Sequence, residues 1–303
     1  MLNPTHYARC GVAGAAIAVS VGSLTAMSPQ IAAAQGFTLD RPVEQGALVF
    51  GRTEPGTKIV LDGRALQVTR DGRFVFGVDR DAMKPLKIAL TYQGQRRETT
   101  YLTVKPRAWR KQYITGIPPA LVTPPPALMK RLEREYFLVL GIRKTSSTLT
   151  HWTQKLKWPA RGRVSGVFGS QRFYNGKPRS YHSGVDVAVP QGWKVRAPIG
   201  GVVSLTHEGL YFAGKTVMVD HGHGVQSSFI HLSRILVKKG DTVRQGQVIG
   251  LVGRTGRATG AHLHWSMSWF QTRIDPQRVV GPMPRPKVKK QSLPKKAKRP
   301  TGG

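Results

Sequence analysis

The sequence predicts a mainly-β protein: a small N-terminal β-sandwich and a C-terminal antiparallel β-sheet domain, joined by a Pro-rich linker that carries a helix. Short apolar runs recur about every ten residues and are separated by Gly and Asp-Gly turn signals. One stretch alone, in the linker, repeats apolar side chains at a helical period. The 34 Gly and 21 Pro spread over 303 residues disfavour an all-helical bundle. A hydrophobic content of 40% supports packed cores and argues against a wholly disordered chain. The charge is lopsided: 47 Lys+Arg against 15 Asp+Glu give +32, which implies an anionic partner or surface.

Residues 1–34 read as an export signal. Arg9 supplies the positive start, Gly11 to Ala26 is uncharged and rich in small and aliphatic residues, and Ala32-Ala33-Ala34 offers a cleavage site after Ala34. The apolar run is diluted by Gly, Ser and Thr, so it predicts a removed signal and no stable transmembrane span afterwards. Cys10 precedes the run, where a lipidated Cys would follow it. No other Cys exists, so the mature chain has neither a disulfide framework nor a thiol nucleophile. Export to the periplasm, cell envelope or exterior directs the positive charge toward anionic envelope polymers and away from nucleic acid.

Residues 36–106 are expected to form the β module. Its strands are Ala47 to Phe50, Lys58 to Leu61, Arg73 to Phe76, Lys87 to Tyr92 and Thr99 to Val104, with turns at Glu54-Pro55-Gly56, Asp62-Gly63 and Asp71-Gly72. The Pro-Gly-Thr and Asp-Gly-Arg-Phe turns resemble those of bacterial immunoglobulin-like modules. Residues 107–150 connect. Pro118-Pro119 and Pro124-Pro125-Pro126 stiffen the chain, and Leu128, Leu132, Tyr136 and Leu140 then mark a helix that docks on a neighbouring domain. Residues 282–303 hold eight Lys/Arg, five Pro and no acid, which predicts a disordered basic tail suited to tethering on an anionic polymer.

Residues 151–281 carry the chemistry. In His182-Ser-Gly-Val-Asp186 the alternating Val185, Val187 and Val189 mark a strand entry. Four fully extended residues span about 13 Å, too far for both side chains to reach one ion, so the chain must bend at Ser183-Gly184. In His262-Leu-His264 the two imidazoles face one side of a strand while Leu263 and Trp265 face the core. His231 lies in a third strand, Ser228 to Ser233. A catalytic zinc takes about three protein ligands and one water. His182, Asp186 and one of His262 and His264 supply that set, and the two remaining imidazoles can take a proton or steady an oxyanion. His221-Gly-His-Gly224 reads instead as a hairpin turn. Gly253 to Gly260 is a substrate-side loop, and Arg172, Asn175 and Arg179 are candidates to line a groove.

These segments resemble the M23 peptidase family, the lysostaphin/LytM-type zinc endopeptidases that cut peptidoglycan cross-bridges. The family's His-x-x-x-Asp motif stands here as His182-Ser-Gly-Val-Asp186, and its His-x-His motif as His262-Leu-His264. Ser165 to Ser170 and Gly240 to Gly250 are similar too. The resemblance implies one Zn2+ per chain held by His182, Asp186 and His264, with His231 and His262 as catalytic histidines and peptidoglycan as the substrate. Where the family often carries Tyr two residues before the His matching His231, this chain has Phe229. An alternative expectation is a non-catalytic envelope-binding protein or an activator of another wall hydrolase; such relatives have lost metal ligands, and this chain keeps all of them.

Overall fold

A computed structural model describes residues 36–115 and 125–284. The expected export signal, Pro118-Pro119, Pro124 and the tail beyond residue 284 lie outside the described residues.

The first strands are β1 (Phe37–Leu39), β2 (Leu48–Thr53), β3 (Lys58–Leu61), β4 (Arg64–Leu66), β5 (Arg73–Gly77), β6 (Leu86–Thr91) and β7 (Arg97–Leu102). They form two antiparallel sheets, ordered β1-β2-β5 and β4-β3-β6-β7. Alternation sets the faces: in β3, Ile59 and Leu61 are buried while Lys58 and Val60 are exposed. Phe74, Phe76, Leu48, Ile88 and Leu90 join them in the core. Asp62 and Gly63 sit at φ 43° and 81°, the left-handed pair that a two-residue β3–β4 hairpin requires.

The expected connector contributes more than a linker. It contains β8 (Lys111–Ile114) and helix α1 (Pro126–Lys144). Pro126 opens α1 at a position where its missing N–H costs nothing, and Arg143 and Lys144 occupy its last turn, where the helix dipole favours cations. Downstream come β9 (Arg163–Gly166), β10 (Gln171–Tyr174) and β11 (Lys177–Pro178). β8 pairs in parallel with β10, which pairs antiparallel with β11, so this connecting strand belongs to a small sheet of its own.

The main sheet is built from β12 (Val185–Ala188), β13 (Lys194–Arg196), β14 (Gly201–Leu210), β15 (Gly214–Gly222), β16 (Val225–Ile235), β17 (Thr242–Val243), β18 (Val248–Val252), β19 (Leu263–Trp269) and β20 (Thr272–Ile274), with β9 at one edge. Its central order is β17-β14-β15-β16-β19-β12-β9. β13 pairs with β18, β18 with β16, and β20 with β19. A short helix, α2 (Pro276–Val280), follows, capped by Asp275, whose side chain accepts from the Gln277 N–H. One face of the sheet is apolar. Val187, Val219, Phe229, Leu263 and Trp265 are fully buried there, and Trp158 packs edge-on against Trp265 at 5.8 Å. Phe229 therefore lies in the core, so the hydroxyl it lacks is missing from the interior.

Polar contacts join the β-sandwich to the main sheet. Arg107 Nη2 donates to Asp275 Oδ2 at 2.8 Å, with the carboxylate almost fully buried. Arg80 donates from Nε and Nη2 to the Gly169 carbonyl at 3.0 and 2.8 Å, and its guanidinium lies over Tyr181 and Trp109. Gly169 N in turn donates to the His182 carbonyl at 2.8 Å. The sandwich thus braces the segment that presents His182.

The His221–Gly224 segment is the hairpin turn that its glycines predict, joining β15 to β16, with Gly222, His223 and Gly224 at positive φ. His221 is fully buried. It donates from Nδ1 to the Gly200 carbonyl at 2.7 Å, and its Nε2 accepts from the Ser227 hydroxyl at 2.9 Å. Burial pushes its pKa down from 6.5 to about 4. The unfolded chain therefore takes up this proton first as pH falls. The stability it contributes is complete above pH 6.5 and drains away between 6.5 and about 4. The loss is roughly 3 kcal/mol at about 1.36 kcal/mol per pKa unit. Urea midpoints at pH 7.0 and 4.5 should differ in that direction, and His221→Gln should flatten the difference.

Candidate metal centre

Three side chains converge where β12 enters the sheet beside β19. The chain bends at Gly184, β12 begins at Val185, and His182 Nε2 comes to 3.1 Å from Asp186 Oδ1. Asp186 pairs directly with His264 across the β12–β19 ladder, which brings His264 Nδ1 to 2.8 Å from the same oxygen. His182 Nε2 and His264 Nδ1 are 3.0 Å apart. The two imidazoles are buried and the carboxylate is 15% exposed.

Glycines permit this approach. A Cβ on Gly166 of β9 would lie 2.3 Å from Asp186 Oδ2, and one on Gly184 would lie 2.8 Å from His264 Nε2 and 2.5 Å from the Trp265 carbonyl. Sequence reading assigned Gly184 to the bend but missed Gly166, which only the packing against the carboxylate reveals.

The tautomers follow from the backbone. His182 Nδ1 faces the Val167 carbonyl at 3.0 Å, His231 Nδ1 faces Thr255 O at 2.8 Å, and His262 Nδ1 faces Gly260 O at 2.9 Å. A carbonyl can only accept, so each Nδ1 carries a proton and each Nε2 is the nitrogen left for other partners. His231 holds its pose with φ at 64°, an uncommon conformation for a residue with a side chain, at the point where β16 leaves its ladder with β19. Its backbone N–H donates to Ala213 O at 2.8 Å. The His231 and His262 rings are 4.9 Å apart, and His262 Nε2 is 3.8 Å from Asp186 Oδ1. All five residues singled out from the sequence are therefore together.

Electrostatics favour an ionised carboxylate beside a neutral His264. Burial alone would raise the Asp186 pKa, but hydrogen bonds with His182 and His264 outweigh it and hold the group far below the usual carboxylate range. Burial pushes His264 down to about 4 against the opposing pull of Asp186. Burial also lowers His231. Within the triangle, His182 Nε2 and His264 Nδ1 both face Asp186 Oδ1, at 3.1 and 2.8 Å. Two imidazole nitrogens and one carboxylate oxygen, mutually 2.8–3.1 Å apart, suit a divalent transition metal that leaves room for another ligand. The carbonyls of Val167, Thr255 and Gly260, which orient the rings, carry no signal in the sequence because any residue type supplies one.

The three expected groove residues lie on and beside the β10–β11 hairpin. Arg172 Nε donates to Gln112 Oε1 at 3.3 Å, tying β10 to β8, and Asn175, at φ 50°, turns the chain between β10 and β11. Arg179 N donates to Arg172 O at 2.8 Å within the same hairpin.

A crystal structure assigned to peptidase M23 from Pseudomonas aeruginosa is similar to this chain over 80% of its length and 96% of its own, at 31% identity and a TM-score of 0.61. The chain belongs to peptidase family M23. The family model, Peptidase family M23, matches residues 180–276, which contain all five site residues. Among curated M23-like relatives, the chain is 39% identical over 125 residues to peptidoglycan DD-endopeptidase ShyA of Vibrio cholerae, covering 41% of this chain and 29% of that one. It is also 39% identical over 123 residues to DD-carboxypeptidase/endopeptidase Mpg of Neisseria meningitidis, covering 40% of this chain and 28% of that one. The chain thus spans under a third of the length of these curated relatives. Among the described residues, no helix is long and apolar enough to cross a membrane.

Proposed function

We propose that the protein is an exported, zinc-dependent endopeptidase that hydrolyses the peptide cross-links of peptidoglycan, with His182, Asp186 and His264 holding the metal. The observation that carries this reading is the donor triangle of 2.8–3.1 Å beside two imidazoles whose Nδ1 atoms are tied to backbone carbonyls. The curated relatives named as endopeptidases support the substrate class. The +32 charge supports a wall or envelope setting, since peptidoglycan and its companion polymers are anionic.

Zinc bound there would polarise the scissile carbonyl and lower the pKa of water from about 15.7 to about 7. The chain's own residues do the rest. Asp186, held ionised, contributes the negative charge of the donor set, and His182 Nε2 and His264 Nδ1 supply its nitrogens. His231 and His262, with Nδ1 tied to backbone carbonyls, have Nε2 available for proton transfer. Between them they accept the proton of the attacking water, return it to the leaving amine and donate to the developing oxyanion. The basic tail and surface would hold the enzyme on its polymer.

Digestion of purified sacculi followed by mass spectrometry of the released muropeptides tests the reading. Cross-linked dimers should fall to monomers, chelator should stop this and zinc should restore it. Dimers that persist under every metal condition would refute the proposal.

Gly166→Ala probes the packing behind the metal. The added methyl displaces Asp186 Oδ2, so zinc affinity should fall by about 10–100-fold, the scale set by groups that orient metal ligands. Competition against a chromogenic chelator measures it.

A further inference from the structure

A cavity of about 410 Å³ lies between α1 and the exposed side of the main sheet, and its walls include Ser183 and His264 of the candidate metal centre. Arg143 from α1 and Arg273 from β20 line the same cavity. Arg143 Nε is sealed from solvent and has no hydrogen-bond partner. Among the described residues, neither guanidinium is salt-bridged to an acid. Burial lowers the pKa of both groups, and the charge of Arg273 pushes Arg143 down further. Two partly enclosed like charges without an ion-pair partner are costly to hold, and an anion would relieve that cost.

The cavity wall offers one acid, already engaged elsewhere. Glu135 is the acidic residue in the cavity wall, and its two oxygens are taken by Arg131 Nε and the Tyr211 N–H, each at 2.8 Å. All 15 Asp and Glu lie among the described residues; residues 1–35, 116–124 and 285–303 contain none. No described acid is ion-paired to either guanidinium, which leaves that role open to a ligand. Guanidinium groups pair bidentately with carboxylate and phosphate alike, and the mixed polar and apolar lining of this cavity suits a carboxylate that carries an alkyl group better than a bare phosphate. The hydroxyls of Ser183, Ser228 and Ser266 in the walls offer further donors, and Met218 and Ile230 an apolar floor for an alkyl group.

We propose that the Arg143–Arg273 cavity is a carboxylate-binding subsite that recognises a free carboxylate on the peptide to be cut, close to the scissile bond. The word "cut" rests on the peptidase reading above; the carboxylate site does not.

The test uses the full chain in two arms. In the first, the chelator-treated protein is melted with N-acetylalanine, with N-acetylalaninamide and with sodium phosphate at matched ionic strength. The acid should raise the melting temperature with increasing concentration while the amide and phosphate do not. Arg273→Met and Arg143→Met should each abolish the shift. Each should melt no lower than wild type without ligand, because one of two repelling charges is gone, so either variant alone reads the site. In the second arm, the zinc-loaded enzyme is given cross-linked peptides with free or amidated carboxylates. Wild type should favour the free acid by at least tenfold in kcat/KM, and the Arg variants should bring that ratio toward one. Equal shifts for acid, amide and phosphate, or Arg variants that keep the shift and the preference, would overturn the subsite. A shift specific to the acid without hydrolysis of either peptide would uphold the subsite and reject the peptidase reading.

Discussion

His264→Ala should lose zinc and hydrolysis together. In the proposed centre His264 supplies one of three donors, its Nδ1 lying 2.8 Å from Asp186 Oδ1 and 3.0 Å from His182 Nε2. Removing it leaves two donors for an ion that needs about three. Metal polarisation is worth several kcal/mol, so activity should fall by about a thousandfold or more. The fold should survive, because the neighbouring Leu263 and Trp265 point into the core and keep β19 in place. Metal analysis, muropeptide release and circular dichroism on one preparation separate the outcomes. A folded variant that still binds one zinc and still cuts would remove His264 from the centre.

His231→Ala and His262→Ala should behave differently. Neither Nε2 completes the donor triangle, and each ring is oriented by its own carbonyl, Thr255 O or Gly260 O. Both variants should therefore keep their zinc while kcat drops by about 10²–10⁴-fold, the range for a positioned acid or base. KM should change little. The double variant should fall short of the product of the two single losses, because groups sharing one proton transfer do not act independently. Loss of zinc in either variant would move that histidine into the donor set.

Much of this was legible before any coordinates. The strands of the sandwich show because Ile59/Leu61 and Ile88/Leu90 alternate cleanly and Asp-Gly turns bound them. Strands β1 and β4 escape such reading: each has only three residues, and Arg64-Ala-Leu66 is an edge segment with little burial to impose a pattern. β8 escapes too, because its pairing partner β10 is distant in sequence and the segment has no alternation of its own. At the site, a spacing of four with an internal glycine and a spacing of two on a strand mark which side chains share a face, but it is the β12–β19 pairing of remote segments that brings His264 to Asp186. The carbonyls that fix each tautomer, the fit of Gly166 behind Asp186 and the meeting of Arg143 with Arg273 depend on contacts between remote segments, and no local pattern encodes them.

X-ray absorption at the zinc edge of the zinc-loaded protein tests the proposed centre most directly. Two histidines and one aspartate predict a shell of light N/O scatterers at about 2.0–2.1 Å, outer-shell scattering from two imidazoles and no sulfur. A shell with a single imidazole, with sulfur at about 2.3 Å, or with oxygen scatterers alone would contradict the assignment of His182, Asp186 and His264.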